Sequence, residues 1–183
     1  MFDKNHSLLI SFISAVMLIL LIGSTNTFAL DIVNNISGNI VDDTTWNDTT
    51  CVYKLIRDIA IKQGVSLTIS SGVTVDGGNH KITVYGELKT NGATLLNTSI
   101  SIGNIESSEN PASIILKETS FSNGAFLSPS GNATYAHVEL RNNRIFDTLD
   151  YTYIWYPVDA TYITGNIFKN FGGFSIGSKM MFT

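Results

Sequence analysis

The sequence predicts an all-β chain wound as a parallel β-solenoid of about five to six laps. Three observations predict it. The first is a repeat in the second half: Leu116, Leu140 and Ile163 stand 24 and then 23 residues apart, and two further series, Phe121, Ile145, Phe168 and Asn123, Asp147, Asn170, keep the same spacing. That period matches one lap of a coil stacked on the coil before it. The second is a set of short in–out–in triplets, Leu67-Thr68-Ile69, Val73-Thr74-Val75, Ile82-Thr83-Val84 and Ile100-Ser101-Ile102, each with aliphatics on one face of a strand and a hydroxyl on the other. The third is that no stretch after the N-terminus offers a long amphipathic helix. The nearest candidate, Val52 to Ile61, is β-branched enough to suit strands as well.

The first segment is set aside from fold reasoning. A short polar start, Met1 to Ser7, leads into the apolar run Leu8 to Ile22, which Gly23 to Asn26 breaks. Thr27-Phe28-Ala29 suits a signal-peptidase site, so residues 1–29 are expected to be a cleaved signal peptide. A spanning helix needs about 20 apolar residues and this run is shorter, although Asp3 offsets Lys4 and keeps a retained N-terminal anchor open. The chain is then expected at the cell surface or secreted, with membrane contact only through that segment. Residues 30–51 are expected to form a leader and N-terminal cap, and 52–183 the coil.

Composition narrows the function classes. The net charge is −4 and no basic stripe is visible, which argues against nucleic acid as a partner. Cys51 is the only cysteine, so no disulfide forms within the chain and no multi-cysteine metal site exists.

Along the coil, glycines 64, 72, 77, 78, 86 and 92 punctuate strands too short for ordinary hairpins. The polar stretch GNIESSENP, Gly103 to Pro111, reads as a surface excursion through which the register is not assignable, and Ser128 to Ala133 as a second. Downstream, Ile114 and Leu116 are expected to pair with Val138 and Leu140, leaving Ile115, Glu139 and Tyr162 outward. Asn143 and Asn166, 23 apart, are expected at turns where their amides bond the neighbouring backbone.

The block GVSLTISSGVTVDGGNHKITVYGELKTNG, Gly64 to Gly92, with Trp46 before it, resembles the N-terminal laps of secreted right-handed parallel β-helix proteins. VELRNNRIFD and TYITGNIFKN look like the Asn-rich coils of the same pectate-lyase-like superfamily. The resemblance implies a right-handed coil, and it spans lyases, hydrolases, esterases, epimerases and adhesins, so it does not choose an activity. The Gly-His-Gly and Asn-Thr-Asp motifs of the pectin-hydrolysing branch are missing.

Candidate site residues follow from shared register. Lys117 and Arg141 are 24 apart, Glu139 and Tyr162 23 apart, so one face gathers two cations, an acid and a phenol. Cations of this kind bind the carboxylates of acidic sugars, and a solvated edge with cross-strand pairing is the plainer role. In YTYIWY, alternation puts Tyr151, Tyr153 and Trp155 on one face, able to stack on sugars or to cover a coil. Asp42-Asp43 reads as solvating the leader, Asp76-Gly77-Gly78-Asn79 as a plain tight turn, and His80 and His137 as ordinary surface residues. Asp147, Asp150 and Asn170 form an oxygen cluster too poor for a hard cation. No metal and no cofactor is expected. Sequons stand at Asn35, Asn47, Asn97 and Asn132.

The expectation is a secreted or surface-displayed β-helix that presents a face to polysaccharide or another surface protein without catalysis. The alternative is a carbohydrate-active enzyme, a polysaccharide lyase or glycoside hydrolase, of which this chain is an incomplete part. The chain ends soon after GGFSIG with no obvious polar cap, which predicts further laps in a longer protein or end-to-end association at the C-terminal coil.

Overall fold

Three parallel faces wind around one core. The computed structural model describes residues 32–129, 135–148, 151–154, 156–158 and 162–177, and among them every regular element is a strand. The signal or anchor expected at 1–29 lies outside the described residues.

The first face stacks seven strands in chain order: Ile32–Ile36, Cys51–Leu55, Thr74–Asp76, Thr94–Leu96, Ser120–Ser122, Arg144–Thr148 and Ile167–Phe171. The second stacks Ile59–Ile61, Lys81–Val84, Ser99–Ile102 and Ser128–Pro129, with Ile40 bridging to Ile61 below, and a further pair, Thr152–Ile154 with Phe174–Ile176, follows in sequence. The third stacks Thr44–Trp46, Ser66–Ile69, Glu87–Asn91, Ala112–Lys117 and Tyr135–Arg141, and two short pieces, Tyr156–Pro157 and Tyr162–Thr164, pair with the last of these. Every pairing is parallel, so each lap must travel round the other two faces before it returns. The result is about six laps. The segment read as leader and cap contributes Ile32–Ile36 and Thr44–Trp46 to these faces, and Val52 to Ile61 is strand, not helix.

The repeated aliphatics are columns of the core. Leu116 pairs with Leu140 and Leu140 with Ile163. On the first face Tyr53, Val75, Leu95, Phe121, Ile145 and Phe168 form one continuous column. Most of these side chains are fully buried, each stabilising the fold by roughly 1.5–3 kcal/mol relative to exposure. Trp46 is buried too, stacked on Tyr53 with ring centroids 5.0 Å apart. The lap containing Gly103 to Pro111 keeps its register: Leu88 pairs with Ile114 and Thr94 with Ser120. The excursion is absorbed outside the strands, pinned by buried Ile105 and by a hydrogen bond from Gln63 Nε2 to Asn110 O.

Two turn columns explain the polar repeats. After the first face, Asn97, Asn123, Asp147 and Asn170 all have positive φ, between 49° and 58°. Asn and Asp tolerate that left-handed conformation better than other non-glycine residues, which is why this period carries them. After the third face, the corresponding left-handed position is held by Gly92, Glu118, Asn142 and Gly165. Beside it runs a buried polar ladder. Asn143 Oδ1 accepts from Thr119 N at 2.8 Å, while Asn143 Nδ2 donates to Leu116 O at 2.8 Å and to Asn166 Oδ1 at 2.9 Å. Asn166 repeats the pattern one lap on, donating to Leu140 O at 2.8 Å. Thr90 and Thr119 continue it through a hydroxyl pair at 2.5 Å.

Candidate functional site

The third face positions the candidate residues. In Ala112–Lys117 and Tyr135–Arg141 buried and outward residues alternate strictly, so Ile115, Lys117, Glu139 and Arg141 project from the coil while Ile114, Leu116, Val138 and Leu140 fill it. Register then sets the neighbours. Lys89, Ile115, Glu139 and Tyr162 form one outward column, and Asn91, Lys117, Arg141 and Thr164 the next.

The four residues expected to share a site do meet. Glu139, with a side chain only 14% exposed, accepts a hydrogen bond from Arg141 Nε, and Lys117 Nζ lies 3.4 Å from the same carboxylate oxygen. The Arg141 guanidinium sits 5.1 Å above the centre of the Tyr162 ring, within cation–π range. The hydrogen bond from Arg141 is the main reason the Glu139 carboxyl is held below its ordinary pKa. Partial burial opposes this, and the charges of Arg141 and Lys117 add to it. Glu139 is therefore an anchored counter-ion. A proton donor or acceptor working near neutrality needs the opposite shift.

A groove of about 420 Å³ adjoins this cluster. Lys89, Lys117 and Asn91 line it together with Thr68, Ser70, Ser71 and Ile115. Lys89 also pairs with Glu87 at 2.6 Å, and Glu87 accepts from Ser113 Oγ at 3.2 Å. Sequence reasoning missed Lys89, Asn91 and the hydroxyls. The signal was present in the 26-residue offset from Lys89 to Ile115 and from Asn91 to Lys117, but the excursion at 103–111 hid it. A second groove, about 390 Å³, opens where the coil turns onto the third face, between Asp43, Ser66 and Glu87 on one side and Glu109 to Pro111 on the other. Asp43 is not a leader residue here: its carboxylate accepts from Ser66 N at 2.8 Å and Ser66 Oγ at 2.9 Å, which lowers its pKa and ties one lap to the next.

The aromatic run stands apart from the cluster. The Tyr151 and Tyr153 rings lie 4.7 Å apart beside the Thr152–Ile154 strand, and the Tyr151 ring lies against Gly173, where even a methyl group would clash. Tyr151 thus lies over the backbone of the last lap and still keeps 45% of its surface exposed. Trp155 lies outside the described residues. His80 has an acid neighbour that spacing did not reveal, with Nδ1 3.4 Å from Asp58 Oδ1, both groups well exposed. Asp76 Oδ1 accepts from Gly78 N at 3.0 Å, as a tight turn requires, and also from Asn97 Nδ2 at 3.1 Å. Of the sequons, Asn35 and Asn47 are exposed, Asn97 is engaged by Asp76, and Asn132 lies outside the described residues. Asp150 does too, while Asp147 accepts from Asn170 Nδ2 at 2.8 Å. At the C-terminal coil Ile167 is 53% and Phe168 37% exposed, although Phe168 belongs to the core column.

Comparison with protein-family models, with curated proteins and with solved structures finds no match to this chain.

Proposed function

We propose that this chain is a secreted or cell-surface β-solenoid that binds a polysaccharide, or another surface component, along its third face without chemistry of its own. The observation that carries the reading is that Lys117 and Arg141 share one outward column, with Lys89 in the column beside it one lap before, next to a groove of hydroxyl and amide groups. A rigid parallel sheet repeats such groups about every 4.8 Å along the coil axis, a spacing suited to a polymer with regularly repeated polar groups. The pairing of Glu139 with Arg141 and Lys117 supports a role for it as a counter-ion that orders the two cations on this face. The apolar run Leu8 to Ile22 supports export. Asparagines in the turns of a three-faced parallel coil support kinship with the pectate-lyase-like superfamily.

The test is a panel of neutral and acidic polysaccharides, with binding and product release followed together. Binding weakened about tenfold or more by Lys117→Ala with Arg141→Ala, with no rise in unsaturated-sugar absorbance, is the expected result. Unchanged affinity in the double variant removes the third face from the proposal. Release of unsaturated or reducing-end products replaces it with the lyase or hydrolase reading.

A further inference from the structure

We propose that a separate subsite on the first face, built around Phe146, takes a neutral sugar ring. Phe146 follows buried Ile145 and precedes the left-handed turn residue Asp147, so its ring is on the outer side of the strand, half-buried. Its register neighbours are Ser122 one lap before and Lys169 one lap after. The three side chains, with the turn residues Asn123, Asp147 and Asn170, line a groove of about 400 Å³. That volume is within the range of about 300–1,000 Å³ usual for small-ligand sites.

The chemistry of the lining selects the ligand class. Phe146 makes no contact with another aromatic ring among the described residues, so its outer face is not taken up by ring stacking. An aromatic face bordered by two amides, a carboxylate, an amine and a hydroxyl offers an apolar floor and a polar rim. A sugar ring has the complementary form, with C–H groups on its faces and hydroxyls round its edge. Asp147 and Asn170 are held in place by their mutual bond at 2.8 Å, and each retains a further polar atom for a ligand. Asn123 and Lys169 have no side-chain hydrogen bond or ion pair among the described residues, so binding need not break one. Among the described residues one acid and one base line the groove, a balance that favours a neutral sugar over a uronate or phosphate. A hard cation is disfavoured because Asp147 is the only carboxylate among the described residues that line the groove.

The test uses the full chain, isotopically labelled and titrated with cellotetraose, xylotetraose, mannotetraose and maltotetraose while backbone amide resonances are followed. At least one tetrasaccharide is expected to shift residues 122–123, 146–147 and 169–170 saturably. Phe146→Ala should weaken that binding about tenfold, while Phe146→Tyr should preserve it. Lys117→Ala with Arg141→Ala should leave it unchanged, which separates this subsite from the third-face proposal. Should Phe146→Ala lower the thermal midpoint enough to unfold the coil, Asn123→Ala takes its place, with a smaller loss expected. No shift at these residues with any of the four sugars overturns the proposal. So does binding that survives Phe146→Ala in a folded protein, or binding that is lost in the third-face double variant.

Discussion

Asn143→Ala should destabilise the coil by about 3 kcal/mol. Asn143 is buried, and its amide serves three partners in the laps before and after its own: it accepts from Thr119 N and donates to Leu116 O and Asn166 Oδ1. The alanine variant leaves the Thr119 N–H and one lone-pair direction of the Leu116 carbonyl without their partner where water does not reach. Each orphaned group costs about 1–3 kcal/mol, less for a carbonyl that keeps another bond, so the sum falls near the middle of the combined range. Asn166 is chemically the same residue one lap later, but it is only part-buried. Water substitutes for its bonds, and Asn166→Ala should cost about 1 kcal/mol. Asn143→Asp keeps the acceptor for Thr119 and loses both donors, so it should be at least as harmful as alanine near neutral pH. Urea unfolding followed by Trp46 fluorescence and circular dichroism measures all three, as shifts in midpoint at unchanged slope. An Asn143→Ala cost within about 0.5 kcal/mol of zero, or an Asn166→Ala cost larger than it, would refute the view that the buried ladder stabilises the turns.

Two further outcomes are expected. Glu118→Gly should raise stability by about 0.5–1 kcal/mol, because Glu118 is exposed, holds φ at 51°, and occupies the position taken by glycine in the laps of Gly92 and Gly165; thermal unfolding checks it, and a loss of stability contradicts it. Acid should weaken the fold in a defined direction: Asp43, Asp76 and Glu139 have lowered pKa values, through Ser66 N–H, Gly78 N–H and Arg141 respectively, so their contribution is complete above the unfolded carboxylate range and is lost as pH falls through the lower folded values. Unfolding midpoints should be level above about pH 5 and drop below it, and Arg141→Ala should move the Glu139 carboxyl titration upward when followed by carbon NMR.

How much the sequence revealed depended on whether a position repeats. The columns of Leu116, Leu140, Ile163 and of Phe121, Ile145, Phe168 were legible because an inward residue must lie over its counterpart, so the period records the contact. The meeting of Lys117, Glu139, Arg141 and Tyr162 was legible for the same reason. The first laps were not, since Ile32–Ile36 lacks alternation and Thr44–Trp46 is only three residues long. The lap from Thr94 to Ser120 was obscured by an excursion that lengthens it to 26 residues without disturbing its pairing. Phe146 escaped notice because a phenylalanine in a strand reads as core. Only its place one residue after an inward isoleucine says otherwise. The nearness of His80 to Asp58 follows from the same lap-to-lap register, since Ile59 pairs with Ile82, but the register of these early strands was not legible in their short triplets.

Unbroken register from lap to lap also governs how this gene can change length. Duplicating or excising one stretch of 23 or 24 codons, such as the 24 from Leu116 to Glu139, returns every inward side chain to an equivalent stack and leaves the edges matched. Losing a single codon within Tyr135–Arg141 instead turns Val138 and Leu140 toward water and brings outward polar groups into the core. Viable size variants should therefore differ by whole coils, with one-codon insertions and deletions confined to exposed stretches outside the strands such as residues 106–110.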